Sequence, residues 1–210
     1  MSKLKALEFL LAQSRISRRE FLTQVSALGM VTAASPLLLA DSAQAGSPRK
    51  GGRLRAGIAG GATTDTLDPA TMTDYVPLFI LFGQLRNCLT EVDFQGNVLP
   101  ELAESWESST DAKQWISNLR KGVEFHSGKT MDAEDVIFSI DYHRKEASMS
   151  GAKALLKSIT DIKADGKQRV IFTLKAANAD FPFLVSDYHF QIMPNGTTDF
   201  GKGDGTGPIY

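Results

Sequence analysis

Three histidines, one cysteine, a few clustered carboxylates, a glycine pair and an arginine pair are the side chains here that carry reactive or ligating chemistry. His126, His143 and His189 stand 17 and 46 positions apart, without the short helical spacing of metal ligands, and they read as structural or surface histidines. Glu101 with Glu104, and Glu134 with Asp135, offer paired acids for glycoside chemistry. Each pair falls where a helix is expected to start, and the helix dipole accounts for acids there. Cys88 sits among Leu85, Leu89 and Val92 and reads as a buried small thiol; as the single cysteine it leaves no intrachain disulfide. Gly60-Gly61 lacks the Lys-Ser/Thr or GxGxxG of a phosphate loop, and neither GxSxG nor a Cys–His pairing occurs. The residues therefore support no enzyme, no metal site and no cofactor.

The arginine pair has a different use. Arg18 and Arg19 stand in Ser-Arg-Arg-Glu-Phe-Leu ahead of a moderately apolar run over residues 25–40, which ends in Ala43-Gln44-Ala45. Residues 21–40 are about long enough to cross a bilayer, but Thr23, Gln24, Ser26, Thr32 and Pro36 interrupt them. The small residues Ala43 and Ala45 directly after the run suit a signal-peptidase pocket. The reading is a twin-arginine signal peptide over residues 1–45, with Arg18 and Arg19 as the export signal, Ala43 and Ala45 at the cleavage site, and a periplasmic destination for the folded protein. Without those 45 residues the chain carries 18 basic against 21 acidic residues, and nothing in that balance forms a basic face for nucleic acid.

The elements expected to position the remaining residues follow from periodicity and turn chemistry. Of the 210 residues 42% are hydrophobic and 22% charged, enough for one core and part of a second. Alternation at Leu54, Ala56 and Ile58 predicts a strand over residues 54–59. Pro77 opens a largely buried helix over 78–89, followed by a strand over 90–94 and a turn at Gln95-Gly96-Asn97. A short helix is expected from Pro100 to Ser105 with Trp106 as a core anchor, then a strand over 114–119, a turn at Lys121-Gly122 and a partner strand marked by Val123 and Phe125. Asp132 caps a helix over 133–145 whose buried stripe is Val136, Ile137, Ile140 and His143. A short helical segment at 152–156, a hairpin of 158–164 with 168–175 around Asp165-Gly166, a short helix at 181–184 and a glycine-rich end complete the chain.

Three runs in that series, Leu-Ala-Glu-Ser-Trp-Glu at 102–107, Leu-Arg-Lys-Gly-Val-Glu-Phe-His-Ser-Gly at 119–128 and Ala-Glu-Asp-Val-Ile-Phe-Ser at 133–139, closely resemble the extracellular solute-binding proteins of the peptide and nickel type, the periplasmic receptors of dipeptide and oligopeptide ABC importers. Leu67-Asp68-Pro69 and Gly205-Thr206-Gly207-Pro208 match in the expected order, so the resemblance covers roughly residues 50–210. Asn87-Cys88-Leu89 departs from the family's common Glu-Gly-Leu, and Ile209 separates Pro208 from the expected aromatic residue.

The resemblance implies an α/β fold: the N-terminal part of a two-lobed clamp with an additional α/β domain inserted in the first lobe. Residues 46–85 would start the first lobe, 86–203 form the additional domain and 204–210 return to the first lobe. Relatives of this kind are far longer, so the chain is expected to be a fragment lacking the second lobe, with residues 54–59 short of sheet partners. The extended segment that pairs with the ligand's main chain maps onto Thr73, Asp74 and Tyr75, while the acid that anchors the peptide's amino terminus has no counterpart. The implied function is peptide capture for an ABC importer permease in the inner membrane, after export by the twin-arginine machinery. Uptake of nickel, haem or oligosaccharide by the same fold, or a non-functional truncated remnant, are the alternatives.

Overall fold

The computed structural model describes residues 3–12, 16, 20–21, 23–24 and 55–209, and these fall into two units, Met1–Ala56 and Gly57–Tyr210. In the first, helix α1 (Lys3–Ala12) buries Leu7. The export residues Arg18 and Arg19 and the cleavage residues Ala43 and Ala45 lie outside the described residues. Among the described residues no helix is long and apolar enough to cross a membrane.

The second unit is built on an antiparallel sheet of four strands in the order β3-β4-β6-β5. Before it come helix α2 (Tyr75–Leu81) and a small two-stranded sheet of β1 (Thr90–Val92) with β2 (Val98–Pro100). β3 (Ala103–Ser108), β4 (Gln114–Leu119), β5 (Ile159–Ala164) and β6 (Arg169–Leu174) form the main sheet. Alternation decides its faces: Trp115, Ser117 and Leu119 on β4 and Val170, Phe172 and Leu174 on β6 are buried, and the residues between them are not. Helix α3 (Ala133–Arg144) packs on the sheet through Val136 and Ile140. The short helix α4 (Phe181–Leu184) adds Phe181, whose ring stacks on Trp115 at 5.8 Å.

α3 begins where its sequence says it should. The Asp132 side chain accepts from the Glu134 N–H, and Asp135 reaches back to the Asp132 N–H at 2.8 Å. This reciprocal cap satisfies helix-end donors that otherwise have no partner. Asp135 is fully buried, and its carboxylate also accepts from Lys129 Nζ and from the Asn195 N–H. The charge is thus matched by a cation and two backbone donors, as a buried carboxylate requires.

β4, α3, the β5–β6 hairpin and α4 follow the expected positions, and the turn at Gln95-Gly96-Asn97 has Gly96 at φ +88°. Other expectations are corrected. Residues 55–59 form no strand and are exposed, and among the described residues no strand pairs with them; Leu54 lies outside the described residues. α2 starts two residues before Pro77 and stops at Leu81, because Asp74 caps it earlier and Gly83 at φ +72° turns the chain; Phe79, Ile80 and Phe82 are exposed rather than buried. The helix expected from Pro100 to Ser105 is extended chain, since the Ala103 N–H bonds the Leu89 carbonyl and β3 pairs with β4. Val123 and Phe125 make no partner strand for β4, both of whose edges are occupied by β3 and β6. Trp106 is only half-buried against the core, and the fully anchored indole is Trp115, which donates to the Asn178 carbonyl. The helical segment near 152–156 is a 3₁₀ turn at Leu155–Ser158.

Candidate ligand-contact segment

Thr73, Asp74 and Tyr75 lie between a turn and a helix. The turn is made by Asp68, whose carbonyl accepts the Thr71 and Met72 N–H groups and whose carboxylate accepts the Ala70 N–H at 2.8 Å. The helix is started by Asp74. One oxygen of its carboxylate accepts the Val76 N–H at 3.1 Å and the Gly61 N–H at 3.0 Å, so the Gly60-Gly61 bend is folded onto the cap. A Cβ at Gly60 would stand 2.6 Å from that oxygen, and its φ is +110°; the glycine pair serves this approach, not a phosphate.

The three residues have different roles. Asp74 is committed inward. Thr73 and Tyr75 are exposed, and among the described residues no hydrogen bond uses the Thr73 N–H or C=O. Thr73 precedes the Asp74 cap, so its carbonyl lies outside the helix, whose first bond runs from the Leu78 N–H to the Asp74 carbonyl at 3.3 Å. A main-chain donor and acceptor are therefore presented to solvent on a braced backbone.

The bracing comes from Arg86, the largest fully buried side chain. Its guanidinium donates to three carbonyls on separate segments: Leu67 at 3.0 Å, Phe200 at 3.1 Å and Asp204 at 2.9 Å. Burial lowers its pKa to about 10, while the nearby Asp68 and Asp204 carboxylates oppose the drop. Tyr142 on α3 donates to the other oxygen of Asp68 at 2.8 Å and stacks on Phe200 at 4.1 Å. Burial, then that hydrogen bond, raises the phenol's pKa, which keeps it a donor.

The Gly-Thr-Gly-Pro segment closes against the same place. The Gly207 N–H donates to the Leu85 carbonyl and the Ile209 N–H to the Gln84 carbonyl, while His126 bonds the Gly207 carbonyl through Nε2 at 2.8 Å. A Cβ on Gly205 would stand 2.1 Å from the Leu85 oxygen, and one on Gly207 2.1 Å from the Gln84 oxygen, so two backbones touch here. Asn87 links the two sides, donating to Glu101 at 2.6 Å and accepting from the Thr206 hydroxyl at 2.8 Å. Cys88 gives its N–H to Glu101 and buries its thiol, whose pKa burial raises well above the usual value. The Asn-Cys departure thus has its own structural use. Sequence reasoning singled out Leu-Asp-Pro and Gly-Thr-Gly-Pro, which meet here, but missed Arg86, whose only signal was a charged residue within an apolar run.

The arrangement is a braced turn with exposed residues beside it, and among the described residues no group of three or more His, Cys, Asp or Glu side chains is placed to hold a metal ion. The model of the bacterial extracellular solute-binding proteins, family 5, middle region, matches residues 97–210, more than half of the chain. The di/tripeptide-binding protein 1 of Pseudomonas aeruginosa is 31% identical over 171 residues, covering 68% of this chain and 32% of that protein. The nickel-binding periplasmic protein of Escherichia coli is 35% identical over 100 residues, covering 46% of this chain and 18% of its own length. Among solved structures, NikZ from Campylobacter jejuni in complex with Ni(L-His) aligns with a TM-score of 0.59 at 25% identity, covering 74% of this chain and 31% of that one. The chain belongs to the family 5 extracellular solute-binding proteins, and it spans about a fifth to a third of the length of these relatives.

Proposed function

We propose that this chain serves as the peptide-capturing, substrate-binding component of an ABC importer, acting in the periplasm, handing its ligand to a permease in the inner membrane and doing no chemistry on it. Family membership and the relatives named for di- and tripeptide binding support the reading. The observation that carries it is the unpaired N–H and C=O of Thr73, exposed beside the Asp74 cap, which offer main-chain pairing to any peptide whatever its side chains. Thr73, Asp74 and Tyr75 form the contact segment, with Asp74 holding it rather than touching ligand. Residues 46–85 and 204–210 belong to the first lobe and 86–203 to the additional domain.

Calorimetry with a mixture of di- and tripeptides tests this. Thr73→Ala keeps native affinity because the contact is through the backbone, whereas Thr73→Pro removes the donor and weakens binding by about tenfold. Absence of heat with every peptide, or equal loss in both variants, refutes it. The nickel-named relative supports one other reading, which predicts binding of Ni(L-His) in place of peptide in the same cell. Export by the twin-arginine route predicts that Arg18→Lys with Arg19→Lys leaves precursor in the cytoplasm; unchanged export refutes that route.

A further inference from the structure

A cavity of about 570 Å³ lies between α2, the 3₁₀ turn at Leu155–Ser158 and both flanks of α4. The four-residue α4 buries Phe181 and Pro182 in the core, leaves Phe183 exposed and sets Leu184 partly buried against the core at the cavity's edge. The apolar wall is Leu78, Phe82, Leu155, Phe183, Leu184 and Tyr188. Four of these are unusually open for their size, with Phe82 39%, Leu155 46%, Phe183 54% and Tyr188 37% exposed. The volume lies within the range of small-molecule sites.

The ionisable groups on this wall, other than the Tyr188 phenol, carry one sign of charge. Asp180 and Asp187 line the cavity and no basic side chain does. Asp180 stands at the start of α4 but its carboxylate makes no capping bond. Asp187 has one oxygen engaged by the His189 N–H at 3.0 Å and its ring Nδ1 at 2.6 Å, which positions the carboxylate. Burial raises the Asp187 pKa, but the His189 bonds and charge outweigh this and hold it below the usual carboxylate value, so the group is ionised near neutral pH. Three aromatic rings add faces that attract cations.

We propose that this cavity is a binding site for a small amphipathic cation, an amine bearing an aromatic or branched apolar group, with the apolar part on the Leu78, Leu155 and Phe183 wall and the ammonium between Asp180 and Asp187. Thr73, Asp74 and Tyr75 do not line it, and its test reads amine binding rather than peptide binding.

Three isosteric probes differ in charge: tryptamine, the neutral tryptophol and the anion indole-3-acetate, each titrated into the chain by ligand-observed NMR at constant ionic strength. Tryptamine binds with a dissociation constant on the order of millimolar or better and at least about tenfold more tightly than indole-3-acetate, with tryptophol between. Asp180→Asn weakens tryptamine by about fivefold and leaves tryptophol unchanged. Leu155→Trp, at a half-exposed position that tolerates the added bulk, fills the cavity and abolishes binding of all three. Equal affinity for tryptamine and tryptophol, no binding of tryptamine at 20-fold above about 1 mM, or unchanged binding in Leu155→Trp would each overturn the assignment.

Discussion

Removing Arg86 should loosen three segments at once. Its guanidinium is fully buried and holds the carbonyls of Leu67, Phe200 and Asp204, which are separated by up to 137 positions in the chain. Arg86→Met keeps the apolar stem but leaves three partly buried carbonyls without this donor. Each lost charge-assisted bond to a partly buried carbonyl costs about 1.5 kcal/mol, so the variant loses about 4 to 5 kcal/mol. Arg86→Lys keeps the charge but replaces the planar fork with a point donor that serves one or two of the carbonyls, and it loses about 2 kcal/mol. In urea unfolding followed by far-UV circular dichroism, Arg86→Met then lowers the midpoint by about 2 M, Arg86→Lys by about 1 M, with the slope unchanged. A midpoint within about 0.5 M of native for Arg86→Met, or Lys matching Arg, would refute the bracing role.

The other predictions concern the neighbouring contacts. Gly207→Ala puts a Cβ where the Gln84 oxygen stands 2.1 Å away, and it destabilises by about 3 kcal/mol, whereas Gly57→Ala, with nothing within 4 Å, changes stability by less than about 0.5 kcal/mol. Equal effects in the two variants would show that the close approach of the backbones is not needed. Two buried groups act against each other in pH dependence. Burial raises the Glu101 pKa from 4.5 to about 7, against the hydrogen bonds from Asn87 and Cys88, so the folded state holds a proton that the unfolded state releases and stability falls as pH rises across that window. Burial lowers the His143 pKa from 6.5 to about 4, so the unfolded state takes up the extra proton and stability is lost as pH falls from 6.5 towards 4. The native urea midpoint is therefore nearly flat between about pH 4.5 and 6.5, and Glu101→Gln exposes a rise with pH from His143; a flat profile in the variant contradicts this.

Much of the sheet and its helices between Gln114 and Leu184 is legible because its signals are local. Asp132 with Asp135 marks the start of α3, Val170, Phe172 and Leu174 mark β6, and Asp165-Gly166 marks the hairpin. The errors lie where a distant partner overrules local preference. Pro100 to Ser105 has helical acids, but the Leu89 carbonyl and β4 claim its backbone. Val123 and Phe125 alternate like a strand, but no edge of β4 is left to them.

The candidate site divides in the same way. The sequence alone identified the family, through five short motifs, and proposed Thr73, Asp74 and Tyr75 only through that resemblance. Only the tertiary structure decided that Asp74 is spent on the Gly60-Gly61 bend, that Arg86 ties the Leu-Asp-Pro turn to residues 200–204, and that Gly205 and Gly207 are needed for space. Each of these depends on backbone groups far apart in the chain meeting at hydrogen-bond distance, and no periodicity or propensity encodes which carbonyl a buried cation will find.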